Sequence, residues 1–381
     1  MSKTIHEINE KIKAGKAIVV TAEEVIGMVE ENGYKKTAET VDVVTTGTFG
    51  PMCSSGVFVN FGHSNPPIRM AKVTLNDVPA FAGLAAVDAY VGATEMSLKR
   101  GMEYGGAHVI EDFIAGKDIA LHAESYGTDC YPRKEIDTYV NKDNVNQIYM
   151  FNPRNCYQNY AAATNSTGKT IYTYMGTLLP HYGNVTYSTA GELSPLLNDP
   201  EYRTVGLGTR IFLGGGVGYV AWEGTQHNPD RERTENGIPT LGAGTLALIG
   251  DLRGMSTEFI RAGVFQKYGI TLYVGVGIPI PILDEEMLAK VAVKNKDIYT
   301  HIVDKSGKVD LDVLVNYEQL RSGQVELNGK KVSTAPLTSL IKSRIIADKL
   351  KSWILAKDFL LTEKVSDLPV HNKVNTLDIR G

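Results

Sequence analysis

The chain has 381 residues, of which 43% are hydrophobic and 22% charged, and its formal net charge is -4. These values are typical of a soluble globular protein, and a mild negative charge without a basic block argues against a general nucleic-acid binder. Residues 1–20 carry charges throughout, and the apolar stretch at 270–283 is interrupted by glycine and proline, so neither a secretory signal nor a membrane span is predicted and a cytoplasmic location is expected.

The amino-terminal part of the chain predicts helix, strand and helix in succession. Thr4 and Glu7 form a capping-box pattern ahead of isoleucines at helical spacing, and Thr21 with Glu24 repeats this pattern ahead of a second apolar stripe. Between them, the apolar run at 17–20 predicts a short buried strand. This order indicates a mixed arrangement of helices and strands.

Most of the remaining chain predicts strands, and residues 145–280 are rich in tyrosine, threonine and glycine. Predicted strands are 41–46, 57–61, 70–75, 119–124, 169–174, 209–213 and 270–276, and predicted helices are 104–115 and 338–361. The expected fold class is α+β or irregular mixed α/β, with mixed sheets and flanking helices rather than a regular Rossmann fold.

The last predicted helix is amphipathic. Lysine and arginine dominate one face, for which a solvated surface is the expected role and docking of an acidic partner the alternative. The predicted apolar stripe consists of Ile341, Ile345, Ile346, Leu350, Trp353 and Ile354.

Two glycine-rich runs, 214–218 and 242–247, raise the question of a nucleotide site. The second run fits G-x-G-x-x-A, but a turn precedes it and no acidic residue follows at the spacing of a dinucleotide fingerprint. Close backbone packing is therefore the favoured role. A nicotinamide-dependent oxidoreductase is the alternative, and a strand–turn–helix at 242–247 would support it.

Two of the three cysteines lie in runs that are typical of site loops. Cys53 and Cys130 are each surrounded by glycines and hydrogen-bonding side chains, where a thiolate can be stabilised and reached by a substrate, whereas an inert cysteine usually lies in an apolar run. Cys156 is less clearly placed. The odd number and the spacing fit neither a disulfide framework nor a zinc or iron–sulfur pattern, so no protein-bound metal is predicted.

Polar residues accompany both cysteine loops. His63 is a candidate proton shuttle and Arg69 a candidate carboxylate clamp, with a purely structural turn as the alternative. His122 lies on a predicted strand that leads to the Cys130 loop, where a histidine satisfied by core groups is the alternative. Asp129, next to Cys130, is a candidate proton acceptor.

Five runs together resemble the homocysteine biosynthesis family, which was long catalogued as a domain of unknown function in methanogens and other anaerobes. These runs are 50–56, 61–68, 127–132, 206–216 and 359–363, and the resemblance covers essentially the whole chain. It implies a sulfurtransferase that makes homocysteine from L-aspartate semialdehyde and sulfide with low-potential electrons, a step of methionine biosynthesis.

The resemblance also bears on domains and partners. Family members often carry a carboxy-terminal pair of CBS modules, which this sequence does not contain, so a single catalytic domain over residues 1–381, with neither CBS modules nor a ferredoxin domain, is expected. The family works with a small protein that bears two [4Fe–4S] clusters. The implied electron donor is therefore a reduced ferredoxin-type partner, with no cofactor on this chain. A homodimer is a further expectation.

The functional cysteines of the family match Cys53 and Cys130. A mechanism consistent with the match begins with sulfide opening a disulfide between them, which leaves a persulfide, favoured on Cys130, that attacks the aldehyde. Such exchange needs the two Cα atoms within about 7 Å. The non-enzymatic alternative is a persulfide carrier whose cysteines are exposed and lack a pocket. Further candidates are His63 and Asp129 for proton transfer, Arg69, Arg133 and Arg210 for the substrate carboxylate, and His122 for substrate binding or proton transfer.

Overall fold

Short β-strands contribute more residues than helices to the computed structural model, which describes residues 2–380. The helices within this range are α1 Ile5–Ala14, α2 Ala22–Asn32, α3 Tyr34–Thr40, α4 Gly106–Ile114, α5 Pro195–Asn198, α6 Glu285–Val291, α7 Tyr317–Arg321 and α8 Leu340–Leu355. The strands are β1 Val19–Thr21, β2 Val43–Thr45, β3 Thr48–Pro51, β4 Gly56–Asn60, β5 Lys72–Leu75, β6 Val78–Ala80, β7 Asp88–Gly92, β8 Met96–Ser97, β9 Gly101–Gly105, β10 Ile119–Glu124, β11 Glu135–Val140, β12 Gln147–Asn155, β13 Ala162–Thr164, β14 Ile171–Thr173, β15 Gly176–Leu178, β16 Asn184–Tyr187, β17 Arg210–Leu213, β18 Gly216–Glu223, β19 Leu246–Asp251, β20 Ile260–Phe265, β21 Gly269–Gly277, β22 Pro279–Pro281, β23 Tyr299–Asp304, β24 Val309–Asn316, β25 Gln324–Leu327 and β26 Lys330–Pro336.

The strands form several mixed and antiparallel sheets. The largest has nine strands in the order β20-β21-β17-β18-β19-β12-β4-β7, with β3 paired to β21, and a six-stranded sheet has the order β24-β23-β13-β16-β26-β25. Smaller sheets are β11-β10-β5-β6, β1-β2-β22 and the two hairpins β14-β15 and β8-β9. Parallel pairs such as β16 with β26 occur beside antiparallel ones. The predicted α+β class without a regular Rossmann arrangement is confirmed.

Local sequence signals account for the amino-terminal elements. Both predicted capping boxes form, from Thr4 and Glu7 at α1 and from Thr21 and Glu24 at α2. Strand β10 has the predicted bounds, and α4 is one to two residues shorter than predicted at its ends. Helix α3 was not predicted, because its sequence YKKTAET carries no apolar stripe.

Helix α8 packs through only part of its predicted stripe. Ile346, Leu350 and Ile354 are buried, but Ile341 is 72% exposed, so its assignment to the packed face is wrong. The basic face forms ion pairs with acidic side chains of the same chain; the solvated surface and the docking alternative both stay predictions. Its ion pairs are Lys342–Glu258, Arg344–Glu23 and Lys351–Glu24.

The two glycine-rich runs form a turn and a connection between strands. Gly214 and Gly215 form the turn between β17 and β18 with φ of +62° and +101°, values that favour glycine. The run 242–247 leads into β19, and a short 3₁₀ turn at Leu252–Gly254 follows that strand. The described chain therefore lacks the strand–turn–helix that the oxidoreductase alternative requires.

Separate apolar clusters support the two larger sheets. One packs against the nine-stranded sheet, and a second is formed by the six-stranded sheet together with residues of α5, α7 and nearby loops. Among residues 2–380, no helix is long and apolar enough to cross a membrane. The single domain over residues 1–381 stays a prediction.

The carboxylate of Asp42 fastens α1 to the fold. It is 1% exposed and accepts hydrogen bonds from Lys3 Nζ (3.2 Å), Lys11 Nζ (2.6 Å) and the Ile18 amide (3.0 Å).

We expect Asp42→Asn to lower the free energy of unfolding by about 2 kcal/mol, because a neutral amide cannot match two ammonium groups. Urea titration measures this value, with exposed Asp143→Asn as the control; a loss below about 0.5 kcal/mol would contradict the prediction.

Candidate active site

Cys53 lies in a tight turn between β3 and β4. A backbone hydrogen bond of 3.1 Å closes the turn, and Cys53 Sγ lies 3.3 Å from Oγ1 of Thr271 on β21. The hydroxyl of Ser54 donates to the carbonyl of Arg154 on β12 (3.0 Å). The half-buried thiol is therefore fixed at one end of the nine-stranded sheet by contacts with two other strands.

The Cys53 thiol opens onto a cavity of about 290 Å³. One wall comes from the turns and strand ends of the nine-stranded sheet, and the other comes from the β14-β15 hairpin and the ends of β16 and β26. An aromatic cavity with few polar groups is typical of a small-molecule site. Its lining residues are Pro51, Met52, Cys53, Ser54, Arg154, Tyr157, Tyr160, Tyr174, Met175, Ser188, Tyr268 and Leu337.

The guanidinium of Arg154 lines this cavity without a partner of its own. Its Nε is buried and has no hydrogen-bond partner, and among the described residues no carboxylate forms an ion pair with it. The pairing of β12 with β19 shifts register between Asn152 and Asn155, an irregularity that re-aims side chains. An unpaired, partly buried cation costs free energy, so this position is suited to an anionic ligand group.

Four tyrosines surround Cys53 and Arg154. The ring centroids of Tyr157 and Tyr160 are 5.1 Å apart, those of Tyr160 and Tyr174 are 6.3 Å apart, and those of Tyr174 and Tyr268 are 6.4 Å apart. Burial raises the pKa of Tyr157 and of Tyr268; the charge of Arg154 opposes this rise at Tyr157 without cancelling it. These hydroxyls remain protonated at neutral pH and can donate hydrogen bonds into the cavity.

Tyr174 differs from its neighbours because a lysine contacts its hydroxyl. Lys305 Nζ donates to Tyr174 Oη at 2.9 Å, and Tyr160 Oη donates to the same oxygen at 3.2 Å. Burial alone would raise the pKa of Tyr174, but the hydrogen bonds from Lys305 and Tyr160 outweigh it and lower the pKa below the ordinary tyrosine value.

Cys130 lies in the exposed loop between β10 and β11. Backbone hydrogen bonds between Thr128 and Tyr131 close the loop. Arg133 fastens it to the neighbouring loop, since its guanidinium donates to the carbonyls of Asn65 and Pro66 at 2.9 Å each.

The structure does not bring the two cysteines together. Both are free thiols, and β4 leads from the Cys53 turn to residues 61–68, where the Cys130 loop is bound. The five residues of β4 span about 17 Å. No residue of 61–69 or 125–134 lines the Cys53 cavity. A disulfide within one chain would need the Cys130 loop to leave this position.

The other predicted residues lie outside the Cys53 cavity. The ring of His63 is 6.1 Å from Tyr131 in the Cys130 loop, and Asp129 is exposed in that loop. Arg69 donates to the hydroxyl of Tyr126 (3.3 Å), and Arg210 lies over the ring of Phe359 and donates to the carbonyl of Leu360 (3.5 Å), while Arg133 holds the loop as described above. Their assigned roles stay predictions.

His122 lies on the exposed face of the β10-β11 hairpin. Its Nδ1 is 2.8 Å from Asp137, and the hydrogen bond to this carboxylate raises the pKa of His122. Ligand atoms of His122, Glu135 and Asp137 lie within 4.8 Å of one another. Exposed carboxylates often gather without a metal, so the expectation of no protein-bound metal stays a prediction.

Sequence reasoning missed Arg154, the tyrosines of the cavity and Lys305. The available signals were the cationic residue two positions before Cys156 and the tyrosine-rich composition of residues 145–280. Cys156 itself is buried, and burial raises the pKa of its thiol, so an inert structural role fits it.

The amino-acid sequence is similar to proteins of a known family. A model of the family described as "Homocysteine biosynthesis enzyme, sulfur-incorporation" matches residues 17–361. An L-aspartate semialdehyde sulfurtransferase of Methanosarcina acetivorans is 53% identical over 371 residues, which cover 97% of this chain and 72% of the relative. A protein of the same name from Methanocaldococcus jannaschii is 54% identical over 384 residues, covering 96% and 73%. An uncharacterized protein of Methanothermobacter thermautotrophicus is 28% identical over 335 residues, covering 85% and 73%. No solved structure matches.

Proposed function

The chain belongs to the family described as "Homocysteine biosynthesis enzyme, sulfur-incorporation" and is a sulfurtransferase, and we propose that it transfers sulfur to the aldehyde carbon of L-aspartate semialdehyde. The balanced reaction consumes the aldehyde, hydrogen sulfide, two electrons and two protons, and it yields homocysteine and water. One observation carries the proposal: the Cys53 thiol and the unpaired guanidinium of Arg154 line the same cavity.

The cavity offers complementary groups for the two ends of this substrate. Arg154 can bind the carboxylate through charge-assisted hydrogen bonds, which places the aldehyde end toward Cys53 and the tyrosine hydroxyls. This arrangement favours an enzyme over a persulfide carrier, since a carrier needs no cavity of convergent polar groups. We therefore propose Arg154 for the carboxylate in place of Arg69, Arg133 and Arg210, none of which lines the cavity.

We place the transferred sulfur on Cys53. In this scheme the Cys130 loop leaves its position beside residues 61–68 so that a disulfide between Cys53 and Cys130 can form. Hydrosulfide opens this disulfide, so that one cysteine becomes a persulfide and the other a thiol. The sequence favoured Cys130 as the persulfide, but the geometry favours Cys53, because it is Cys53 that lines the cavity proposed for the aldehyde. The terminal sulfur attacks the aldehyde carbon, and the second thiolate then breaks the S–S bond, which restores the disulfide and releases the sulfur with the substrate.

The released adduct loses water to give a thioaldehyde, whose reduction to homocysteine takes two electrons. We propose a reduced ferredoxin-type protein with [4Fe–4S] clusters as the donor. Such a cluster takes four cysteine thiolates, and this chain has three cysteines in three different settings. His63 and Asp129, beside Cys130, are proposed to serve the disulfide exchange rather than the aldehyde.

A substrate series tests the proposed function. The purified chain is incubated with sulfide, a low-potential reductant and one of three aldehydes: L-aspartate semialdehyde, succinate semialdehyde, which lacks the amino group, or butanal, which lacks the carboxylate as well. We expect homocysteine from the first, and thiol formation from butanal that is slower by at least about 100-fold, because the charged contact with Arg154 is lost. Absence of homocysteine, or equal rates with butanal, would contradict the proposal.

A further inference from the structure

We propose that Tyr174 is the general acid that protonates the aldehyde oxygen when sulfur adds to the carbonyl carbon, and that Lys305 is the residue that positions it. The inference rests on the proposed function, because it assigns a residue to the addition step in the Cys53 cavity. It begins from the hydrogen bonds at the Tyr174 hydroxyl.

The Tyr174 hydroxyl accepts two hydrogen bonds and has its own proton to give. Lys305 Nζ donates to Oη at 2.9 Å and Tyr160 Oη donates at 3.2 Å. Over the part of the chain that the structure describes, no acceptor takes the proton of Tyr174. Because the residue lines the cavity, this proton is available to a ligand there.

Lys305 is placed to stabilise the tyrosinate that remains after proton transfer. It follows β23, and its amide donates to the carbonyl of Thr164 (3.0 Å), which fixes its backbone. Its ammonium group lies 5.0 Å from the ring centroid of Tyr174 and 5.7 Å from that of Tyr160. In the described region no carboxylate forms an ion pair with it, so its nearest charged partner would be the tyrosinate.

The charged and polar groups around Tyr174 bring its pKa below the ordinary tyrosine value. The groups that face Tyr174 are Lys305 and Lys308 from the β23-β24 turn, Tyr157 and Tyr160 after β12, and Tyr268 before β21. The two lysines and the hydrogen bond from Tyr160 lower the pKa of Tyr174, in opposition to burial. A pKa closer to the working pH makes proton donation to a developing alkoxide more efficient.

The step balances without a redox reagent. The sulfur anion forms a bond to the aldehyde carbon, and the π electrons of the carbonyl move to oxygen. That oxygen takes the proton of Tyr174, which becomes a tyrosinate held by Lys305 and Tyr160. Solvent then reprotonates the tyrosinate. Arg154 holds the other end of the substrate, so the acid and the carboxylate anchor act at opposite ends of one molecule.

Two measurements on the purified chain test this assignment. In the ultraviolet titration of tyrosinate, the difference between wild type and Tyr174→Phe should show one tyrosine that ionises below the ordinary range. Lys305→Met should move this ionisation to higher pH. In the homocysteine assay, Tyr174→Phe should lower kcat by about 100-fold with little change in KM. Lys305→Met should move the alkaline limb of the pH profile upward, because the acid is active only while protonated.

Tyr172→Phe and Lys267→Met are matched controls, since Lys267 Nζ lies 5.1 Å from the ring centroid of Tyr172 on β14, outside the cavity. Neither should alter the titration difference or the pH profile. Undiminished kcat in Tyr174→Phe, or an ionisation that Lys305→Met does not move, would overturn the inference and leave the proposed function intact. Failure of wild type to convert the aldehyde would overturn the function, and the acid role would fall with it.

Discussion

Replacing Cys53 with alanine is expected to lower kcat/KM for homocysteine formation at least about 1,000-fold. Loss of a nucleophile removes the reaction path that it opens, and the remaining cavity can contribute only binding and orientation. Cys53 is the cysteine that lines the cavity with Arg154 and the tyrosines. The measurement is the initial rate of homocysteine formation with sulfide, L-aspartate semialdehyde and a low-potential reductant.

Cys130→Ala is the informative companion variant. Because Cys130 is exposed and does not line the cavity, its proposed role is exchange with the sulfur on Cys53 rather than attack on the aldehyde. We expect Cys130→Ala to lose turnover but to recover when a small thiol replaces the missing sulfhydryl. No added thiol should restore Cys53→Ala. Cys156→Ala, which alters a buried residue outside both loops, should retain the wild-type rate.

Mass spectrometry distinguishes the roles directly. After the oxidised protein reacts with sulfide, the peptide that contains Cys53 should gain the mass of one sulfur atom. A persulfide found on Cys130 alone, together with an active Cys53→Ala variant, would reverse the assignment made from the geometry and restore the role that the sequence favoured.

Short sequence motifs correctly predicted the structural features that depend on interactions within a few residues of chain. The capping boxes at Thr4 and Thr21 lie within single turns of chain, and both form. The glycine-rich surroundings of Cys53 correctly indicated a turn that presents a side chain rather than a core strand. The family, the enzyme class and the fold class were all predicted, and the family match and the strand arrangement confirm them.

The cavity could not be predicted because pairing between distant strands builds it. Cys53, Arg154, Tyr174 and Lys305 come from four segments spread over about two thirds of the chain. The pairing of β12 with β4 places Arg154 near Cys53, while the β14-β15 hairpin and the β13-β23 pair supply the other two residues. Sequence reasoning instead chose arginines by their nearness to the cysteines or to family motifs. It also left open whether Cys53 and Cys130 approach each other; β4 leads away from Cys53 toward the residues that bind the Cys130 loop.

Arg154→Gln is expected to lower kcat/KM for L-aspartate semialdehyde by about 100-fold, which corresponds to about 3 kcal/mol. Glutamine keeps much of the length and hydrogen-bonding capacity but lacks the charge and the paired N–H donors that match a carboxylate. Since the contact forms in both the ground state and the transition state, most of the change should be an increase in KM. Arg261→Gln, at an exposed position on β20, is the matched control.

The aldehyde without a carboxylate separates binding from any effect of Arg154 on the nearby thiolate. If the guanidinium anchors the carboxylate, wild type and Arg154→Gln should convert butanal at nearly equal rates, although they differ about 100-fold with aspartate semialdehyde. If Arg154 instead stabilises an anionic sulfur on Cys53, the variant should lose activity equally with both aldehydes. A loss that follows Arg69→Gln rather than Arg154→Gln would place the carboxylate beside the Cys130 loop and would move the proposed active site there, since Arg69 contacts Tyr126 of that loop.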